Sequence, residues 1–356
     1  MSQTSYIEEA NEQLSNTTFY KKLDKDHTVD FKRELLNMTT GLSTHTRSRM
    51  PALIPRNPQP GTFYTIQKLH KLPKLIDNML TTNPHNISTS IDPFKIFDIA
   101  KSLNIHPPGR PIISNIGTLT EHLSGYVDSV IKPFIPSIPS YIKDTTHFLN
   151  NLSQIPNLQT DALLVTMDVT SLYANIPHAE GLVALESLLS KNLFPLDHIQ
   201  DILSISRFIL THNNFIFKDQ HYLQISGTAM GTKMAPNYAN AFMSSLEEKL
   251  INSFHLKPMH YVRYIDDIFF IWNHGIDALE LFKTHANAFH PTIKFTFEHS
   301  QHTLPFLDVS VKVTDGKLST SLYCKPTNRH CYLNYNSFHP LKLKQSLIFS
   351  QCLRIR

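Results

Sequence analysis

The chain has few cysteines, few glycines and no long apolar run. Its three cysteines, Cys324, Cys331 and Cys352, are an odd number and all lie late in the sequence, so they form no disulfide framework and are typical of a reducing compartment. No apolar run approaches the roughly 18 residues that span a bilayer. The start, MSQTSYIEEANEQ, lacks the basic and then apolar pattern of a signal peptide. We therefore expect no transmembrane segment, no secretion, and a location in the nucleus or cytoplasm.

The remaining composition is that of a globular chain with a mild positive charge. Of the 356 residues, 41% are hydrophobic, which is ordinary for a protein with a buried core. This length is enough for about two domains or for one larger domain with several lobes. Only 10 glycines stand beside 22 prolines, which favours stiff connections. The formal charge of +4 permits a nucleic-acid partner without requiring one.

Hydrophobic patterning predicts a mixture of helices and strands after residue 160. A short apolar strand covers Leu163 to Val165 and ends near Asp168. Helical spacing follows over 180–192, 196–213, 234–251 and 277–289. Hairpins are indicated over 214–224, 261–272 and 304–323, and a single strand over 292–300. This order predicts an α+β fold, with an antiparallel sheet that helices cover on one face while the other face stays open for a substrate.

One stretch, YVRYIDDIFFIW at 261–272, places two adjacent carboxylates between two runs of aromatic and β-branched residues. The runs have the composition of strands, which places Asp266 and Asp267 at or near a tight hairpin turn. Two acids in that position repel each other unless a positive charge lies close by, and a divalent cation would turn the repulsion into attraction. The alternative is a solvated hairpin tip, where Asp is common.

A third carboxylate, Asp168, ends the apolar strand 98 positions before Asp266 (266 minus 168). If the two strands are neighbours, Asp168 and Asp266 face each other at one edge of the sheet. Carboxylates gathered in this way could bind two Mg²⁺ ions, or Mn²⁺ in their place, about 3.5–4 Å apart. Such an arrangement is typical of in-line phosphoryl transfer, in which catalysis consists mainly of positioning and electrostatic stabilisation.

Three motifs resemble those of reverse transcriptases. YIDD at 264–267 resembles their YxDD motif, MDVTSLYANI at 167–176 their first palm motif, and GTAMGTKMAPNYANAFM at 227–243 the motif that supports template and incoming nucleotide. They occur in the family's order at suitable spacing, so together they are far more specific than any one of them. Further stretches resemble the Penelope-like retroelement branch, namely FYTIQKLHK, GRPIISNIGTLTEHLSGYVD, IKFTFE, PFLDVSV and LYCKPTNRHCYLNYNSFHP.

The resemblance covers roughly residues 60–356 and implies a right-hand polymerase with fingers and palm. Composition alone indicates a polar N-terminal region with a Pro-rich linker at 1–60. The resemblance implies fingers at 61–160, palm at 161–325, and the palm end with a truncated start of the thumb at 326–356. The implied activity is RNA-directed DNA polymerase, a nucleotidyltransferase that uses an RNA template, a DNA primer and deoxynucleoside triphosphates (dNTPs), with no membrane partner. Because a thumb holds the duplex through Lys and Arg contacts to phosphates, its truncation leads us to expect brief, salt-sensitive primer extension. No GIY-YIG endonuclease motif follows, so we expect no DNA nicking.

The resemblance also implies roles for single residues. Asp168, Asp266 and Asp267 match the catalytic residues and metal ligands of the family. Arg110 matches the fingers arginine that contacts the triphosphate, a task that suits its planar guanidinium. Nucleotide binding is implied for Lys68, Lys71, Val169, Tyr173, Met230 and Gly231.

The remaining implied roles concern sugar choice, proton transfer and the primer. Tyr173 matches the aromatic steric gate that leaves no room for a 2′-hydroxyl, and Gly231 a glycine that lets the backbone approach the nucleotide. Lys294 matches a candidate general acid for pyrophosphate, whereas Phe306 and Leu307 resemble the primer grip. The structural alternatives are solvated lysines on a helix, loop or strand and a tyrosine packed in the palm core.

Three other functions stay open at this point. An RNA-directed RNA polymerase or telomerase-like relative shares the palm chemistry and differs in its template. A catalytically inactive relic of a mobile element could hold nucleic acid with aromatic and basic residues alone, although Asp168, Asp266 and Arg110 are all present. An unrelated two-metal nuclease would lack the fingers motifs and their order.

Overall fold

The computed structural model describes residues 3–81, 96–103, 105–159, 161–325 and 332–355. Its helices are Gln3–Leu14 (α1), Thr28–Thr39 (α2), Thr44–Leu53 (α3), Leu72–Thr81 (α4), Ile96–Ser102 (α5), Glu121–Ile131 (α6), Thr145–Leu152 (α7), Leu172–Asn175 (α8), His178–Lys191 (α9), Leu196–Thr211 (α10), Ala235–Ser253 (α11), Gly275–Phe289 (α12) and Leu341–Ile355 (α13). Short 3₁₀ helices lie at Leu69–Lys71 and Lys132–Ser137. Within these ranges, no helix combines the length and apolar character needed to cross a membrane.

The strands form three sheets within the described ranges. They are Tyr20–Lys22 (β1), Gly61–Gln67 (β2), Gly109–Ser114 (β3), Leu163–Val169 (β4), Asn214–Phe217 (β5), Gln220–Gln224 (β6), His260–Tyr264 (β7), Asp267–Trp272 (β8), Phe295–Ser300 (β9), Thr303–Phe306 (β10), Val309–Thr314 (β11) and Lys317–Leu322 (β12). The four-stranded sheet, β7-β8-β4-β9, is the central sheet. The five-stranded sheet has the order β1-β6-β5-β2-β3, and the three-stranded sheet the order β10-β11-β12.

The central sheet is antiparallel throughout and carries helices on one face, as the sequence predicted. Alternate residues of β4, Leu163, Val165 and Met167, are buried on that face. Helix α9 presents Leu182 and Leu185 to the same core, at the spacing that aligns side chains along one face of a helix. Each leucine buried in this way stabilises the fold by roughly 1.5–3 kcal/mol. The predicted α+β class is confirmed.

The opposite face of the central sheet is also covered, so the prediction of an open face is wrong. Leu164 and Phe269 lie on that face and are buried in a second core with α7 and the three-stranded sheet. The rings of Phe148 in α7 and Phe306 in β10 have centroids 4.7 Å apart. The physical reason is visible in the apolar run of β8, because a strand with apolar residues on both sides must be covered on both. Asp168, near the end of β4, is exposed.

The five-stranded sheet takes strands from both sides of residue 160 and also from the N-terminal region. β2 pairs with β3 in an antiparallel and with β5 in a parallel arrangement, and β6 pairs with β5 and β1. Ala10 and Tyr20 are buried in one core with Phe63 and Ile113. A few apolar side chains of the polar N-terminal region therefore help to complete the core beside this sheet. The boundaries at 60, 160 and 325 stay a prediction.

The stretch 304–323, predicted as one hairpin, contains two turns. One turn lies at Asp315 and Gly316, which have φ values of 51° and 75°. A further turn follows β10, where Leu307 has a φ of 52°. The sequence LPFLDV gives no glycine or asparagine signal for it. Helix α13 lies in the last predicted region, of which residues 326–331 and 356 lie outside the described residues.

Candidate active site

The turn between β7 and β8 carries Asp266. Tyr264 pairs with Asp267 in the strand ladder, which leaves Ile265 and Asp266 as a two-residue turn and confirms the predicted hairpin. Ile265 has a φ of 56°, a left-handed conformation that costs a β-branched residue on the order of 1–3 kcal/mol. Such strain persists only where surrounding contacts hold the backbone in place.

Asp168 lies directly opposite Asp267, because β4 and β8 pair in that register. Directly opposite residues of an antiparallel pair have Cβ atoms roughly 4.5–5.5 Å apart. The backbone of Asp266 is tied to the same place, since its carbonyl accepts a hydrogen bond from the Val169 N–H at 3.3 Å. The structure therefore brings Asp168, Asp266 and Asp267 together, and these three residues are the acid cluster.

Desolvation and mutual repulsion raise the pKa values of the acid cluster. Surrounding protein, followed by the charge of Asp266, raises the pKa of Asp168 to about 6, although this side chain still reaches solvent. Burial, followed by the charges of Asp266 and Asp168, raises the pKa of Asp267 to about 6. Burial also raises the pKa of Asp266, against a backbone hydrogen bond and nearby arginine charges that lower it. The folded chain therefore holds a charge repulsion that a cation would relieve.

The donor set of the acid cluster fits Mg²⁺, which prefers oxygen ligands. In the part of the chain that the structure describes, no three His, Cys, Asp or Glu side chains are already gathered so that they could hold a metal ion. This is compatible with Mg²⁺, because that ion keeps several waters and is usually bound by one or two carboxylates together with substrate phosphates. Asp168 and Asp267, which face each other, and the adjacent Asp266 are the residues that would hold it.

Replacing Asp267 with Asn should stabilise the metal-free protein at neutral and higher pH. The pKa of this carboxyl is raised from 3.8 to about 6, so between these values the folded chain binds more protons than the unfolded chain. Folding stability therefore falls as pH rises through that window. The Tm of Asp267→Asn in EDTA should exceed that of the unchanged protein at about pH 8 and should match it near pH 4. Equal Tm values at both pH values would contradict the repulsion.

Basic side chains in β3 and just after β2 act electrostatically on the acid cluster. Arg110 in β3 is exposed, and its charge lowers the pKa of Asp266. The charges of Lys71 and Lys68 lower the pKa of Asp168 in the same way. Desolvation, followed by the charges of Lys71 and Arg110, lowers the pKa of Lys68 itself. The structure thus places the three predicted basic residues within electrostatic reach of the predicted carboxylates.

Tyr173 lies in α8, shortly after β4, and is half-buried. Burial, followed by the charge of Asp266, raises the pKa of its phenol to about 12. Its carbonyl accepts a hydrogen bond from the Thr228 N–H at 2.7 Å. Gly227, with a φ of 67°, lies so close that a Cβ there would be 2.4 Å from the Tyr173 carbonyl oxygen. The loop at 227–228 therefore fixes the Tyr173 backbone beside the acid cluster.

Met230 and Gly231 pack against β3. The Met230 carbonyl accepts a hydrogen bond from the Ile113 N–H at 3.1 Å. Gly231 has a φ of 132°, and a Cβ at this position would lie 2.1 Å from the Ile113 carbonyl oxygen. Glycine is therefore required for the close approach of this loop to the strand that carries Arg110. This differs from the expected approach to a nucleotide, and nucleotide contacts of Met230 and Gly231 stay a prediction.

Four other predicted site residues make structural contacts. The Val169 side chain is buried beneath the helices, and Phe306 is buried in the second core with Leu307 packed against it. The Lys294 ammonium donates hydrogen bonds to two backbone carbonyls at the end of α12, at 2.7 and 3.0 Å, where a cation stabilises a helix. Roles of these residues toward nucleotide, primer or pyrophosphate stay predictions.

Arg263 is a candidate that the sequence reasoning missed. It is fully buried in β7, and its guanidinium donates hydrogen bonds to Glu247 at 2.8 Å and to the Asn240 side chain at 2.7 Å. It also donates to the Ile265 carbonyl at 3.0 Å, next to Asp266 in the turn. A signal was present in the sequence, because an arginine inside an otherwise apolar strand must find a charged partner when it is buried.

The central sheet is antiparallel and carries acids on adjacent strands, and a second sheet beside it bears basic residues. These features are expected of the palm and fingers of a template-directed polymerase. Residues 110–299 match the reverse transcriptase (RNA-dependent DNA polymerase) family. The match spans 190 residues (299 minus 110, plus 1), which is more than half of the 356 in the chain. The chain therefore belongs to the reverse transcriptase family, a class of nucleotidyltransferases that are RNA-directed DNA polymerases.

Solved polymerase structures share this fold at low sequence identity. A telomerase from Candida albicans, in complex with the TWJ fragment of telomeric RNA, matches with a TM-score of 0.59 and 11% identity over 98% of this chain and 53% of that chain. The RNA-dependent RNA polymerase of a human picobirnavirus matches with a TM-score of 0.50 and 10% identity over 94% of this chain and 67% of that chain. The present chain thus spans about half the length of the telomerase chain. No curated protein sequence matches. The likeness confirms the predicted polymerase fold.

Proposed function

We propose that the chain is an RNA-directed DNA polymerase that transfers nucleotides from dNTPs to the 3′-hydroxyl of a primer. The observation that carries the proposal is the position of Asp168 opposite Asp267, beside Asp266 in its turn, with Arg110 and Lys68 within electrostatic reach. Carboxylates of this kind suit divalent cations, and the basic side chains suit a triphosphate. Membership of the reverse transcriptase family supports the same reaction.

Each part of the proposed site has a separate task. Mg²⁺ held by the acid cluster supplies, when bound, charge stabilisation for in-line phosphoryl transfer. The Arg110 guanidinium binds phosphate oxygens of the incoming nucleotide through paired N–H groups. Lys68 and Lys71 add positive charge for the same triphosphate. The Tyr173 ring, whose backbone is fixed near Asp266, excludes a 2′-hydroxyl from the sugar site.

The sequence supports a place in the Penelope-like branch of retroelements. The stretches that carry this proposal include FYTIQKLHK in β2 and the following 3₁₀ helix, and GRPIISNIG, which contains β3. Both lie in the part of the structure that brings Lys68, Lys71 and Arg110 to the acid cluster. The template proposed for this chain is accordingly RNA and the primer DNA.

Primer extension tests the proposed function directly. The purified chain, a labelled DNA primer on an RNA template, Mg²⁺ and dNTPs should give products whose sequence follows the template, and EDTA should stop their formation. Ribonucleotides and a DNA template, offered in parallel reactions, separate this activity from that of an RNA polymerase or a DNA-templated enzyme. A folded protein that binds primer–template but extends it in none of these reactions would be the inactive relic.

Tyr173→Ala should allow ribonucleotides to be incorporated. The ring lies half-buried beside Asp266, and its loss opens room for the 2′-hydroxyl. Tyr173→Phe is the matched control, because it keeps the ring and removes only the phenol, so its preference for deoxynucleotides should be retained. The measurement is the ratio of deoxy- to ribonucleotide incorporation by each variant. An unchanged ratio in Tyr173→Ala would show that this residue is not the gate.

A further inference from the structure

The N-terminal helix α1 binds the residue that precedes Arg110. A carboxylate oxygen of Glu9 accepts a hydrogen bond from the Gly109 N–H at 2.9 Å. The Gln13 side-chain amide donates to the Gly109 carbonyl at 3.1 Å and also to Glu9. Gly109 is buried, so both polar groups of its backbone are satisfied by side chains of one helix.

The same carboxylate of α1 reaches the neighbouring strand. The other oxygen of Glu9 accepts a hydrogen bond from the Thr65 hydroxyl at 3.1 Å. The Tyr6 hydroxyl accepts one from the Thr65 N–H at 3.0 Å. Thr65 pairs with Pro111 in the β2–β3 ladder. Helix α1 therefore binds both strands of this pair: β3 at Gly109, just before Arg110, and β2 at Thr65, opposite Pro111, just after it.

Close contacts hold the backbone on both sides of Arg110. A Cβ added to Gly109 would lie 2.6 Å from the Glu9 carboxylate, so the helix and strand are in close contact. Pro111 follows Arg110, and a residue before proline is restricted to extended conformations. On the far side the Ile113 N–H is bound to Met230. Strand β3 is an edge strand, and these contacts occupy outward groups that such a strand otherwise leaves unpaired.

We propose that Glu9 and Gln13 are positioning residues that act through Arg110. They fix the Gly109 backbone so that the Arg110 guanidinium is held near Asp266, where the proposed function places the triphosphate. The inference rests on that proposed function. A hydrogen bond to an ionised carboxylate is stronger than one between neutral groups, and holding Arg110 in advance lowers the cost of binding the nucleotide. The N-terminal segment thus becomes part of the dNTP-binding apparatus.

Glu9→Ala, compared with Glu12→Ala, tests this assignment. Glu12 is exposed on the same helix and carries the same charge, so its substitution should leave KM and kcat unchanged. Glu9→Ala should raise KM for dNTP about tenfold, which corresponds to one lost anchoring interaction, with little change in kcat. Glu9→Gln, which keeps an acceptor for Gly109, should raise KM less. In an Arg110→Ala background, Glu9→Ala should cause no further rise.

The outcomes separate positioning from a purely structural role. If Glu9→Ala lowers the Tm but leaves KM unchanged, or raises KM equally with and without Arg110, the proposal is overturned. Failure of the unchanged protein to extend primers counts against the proposed function instead. In that event the equilibrium binding of a dNTP in Mg²⁺ buffer decides, because Glu9→Ala should weaken it about tenfold relative to Glu12→Ala. Equal binding by the two variants would refute the role of α1.

Discussion

Primer extension by Asp266→Asn should be at least about 10³-fold slower than by the unchanged protein, because the cation's charge stabilisation is worth several kcal/mol. Asn keeps the shape of the side chain and removes its charge at the centre of the acid cluster. The fold should stay intact, because burial raises the pKa of Asp266 and the charged form is therefore a cost to the folded state. Single-nucleotide incorporation measures the rate, and circular dichroism verifies the fold.

Asp315→Asn is the matched control for Asp266→Asn. It makes the same chemical change in another hairpin turn, where Asp315 is exposed and has a φ of 51°, a conformation that Asn tolerates well. Extension by this control should equal that of the unchanged protein. Normal extension by a well-folded Asp266→Asn protein would refute the metal-binding role of the acid cluster.

Arg263→Met should lower the free energy of unfolding by roughly 3–5 kcal/mol, the usual cost of removing one partner of a buried ion pair. The substitution leaves the carboxylate of Glu247, a residue that is 6% exposed, without its cationic partner. It also removes the donor to the Ile265 carbonyl in the strained turn. Extension should fall further than the folded fraction explains, because the turn positions Asp266. Denaturant titration and the rate per folded molecule measure the two effects.

Two comparisons make the Arg263 prediction specific. The first comparison is the double variant Arg263→Met with Glu247→Leu. Much of the lost free energy of unfolding should return in it, since replacing both charges by apolar groups leaves no buried charge unpaired. Lys191→Met removes a partner of Glu248, the next residue in α11, from an exposed pair at 3.0 Å. Its cost should be about 0–1 kcal/mol. A similar small cost for Arg263→Met would mean that the buried pair does not hold the turn.

Local patterns in the sequence predicted the elements of the central sheet well. The alternation and aromatic content of YVRYIDDIFFIW predicted a hairpin with Asp266 in its turn, and the structure confirms it. Asp168 was predicted to face Asp266. Strand β4 does pair with β8, but the register places Asp168 opposite Asp267 instead. The covered second face was not predicted, because it depends on α7 and on the three-stranded sheet, which pack against Phe269 from distant parts of the chain.

The rest of the candidate site was beyond sequence reasoning for a physical reason. The contacts of Gly231 and Glu9 depend on which strand lies next to them, and β3 is brought to both by tertiary packing. Lys294 carries a charge that suits many tasks, and only the structure shows its ammonium bound at the end of α12. The residues predicted by chemistry alone were those whose spacing and charge are unusual, namely the three aspartates.

The pairing of β1 with β6 has a consequence for the biosynthesis of the chain. Tyr20 pairs with Gln224, a separation of 204 residues (224 minus 20). At a synthesis rate of about 5–20 residues per second, β1 waits roughly 10–40 s for β6 to be made. Strands β2 and β3, against which α1 packs, are made earlier, but during that interval β1 has no partner strand and its backbone is exposed to aggregation and to chaperones.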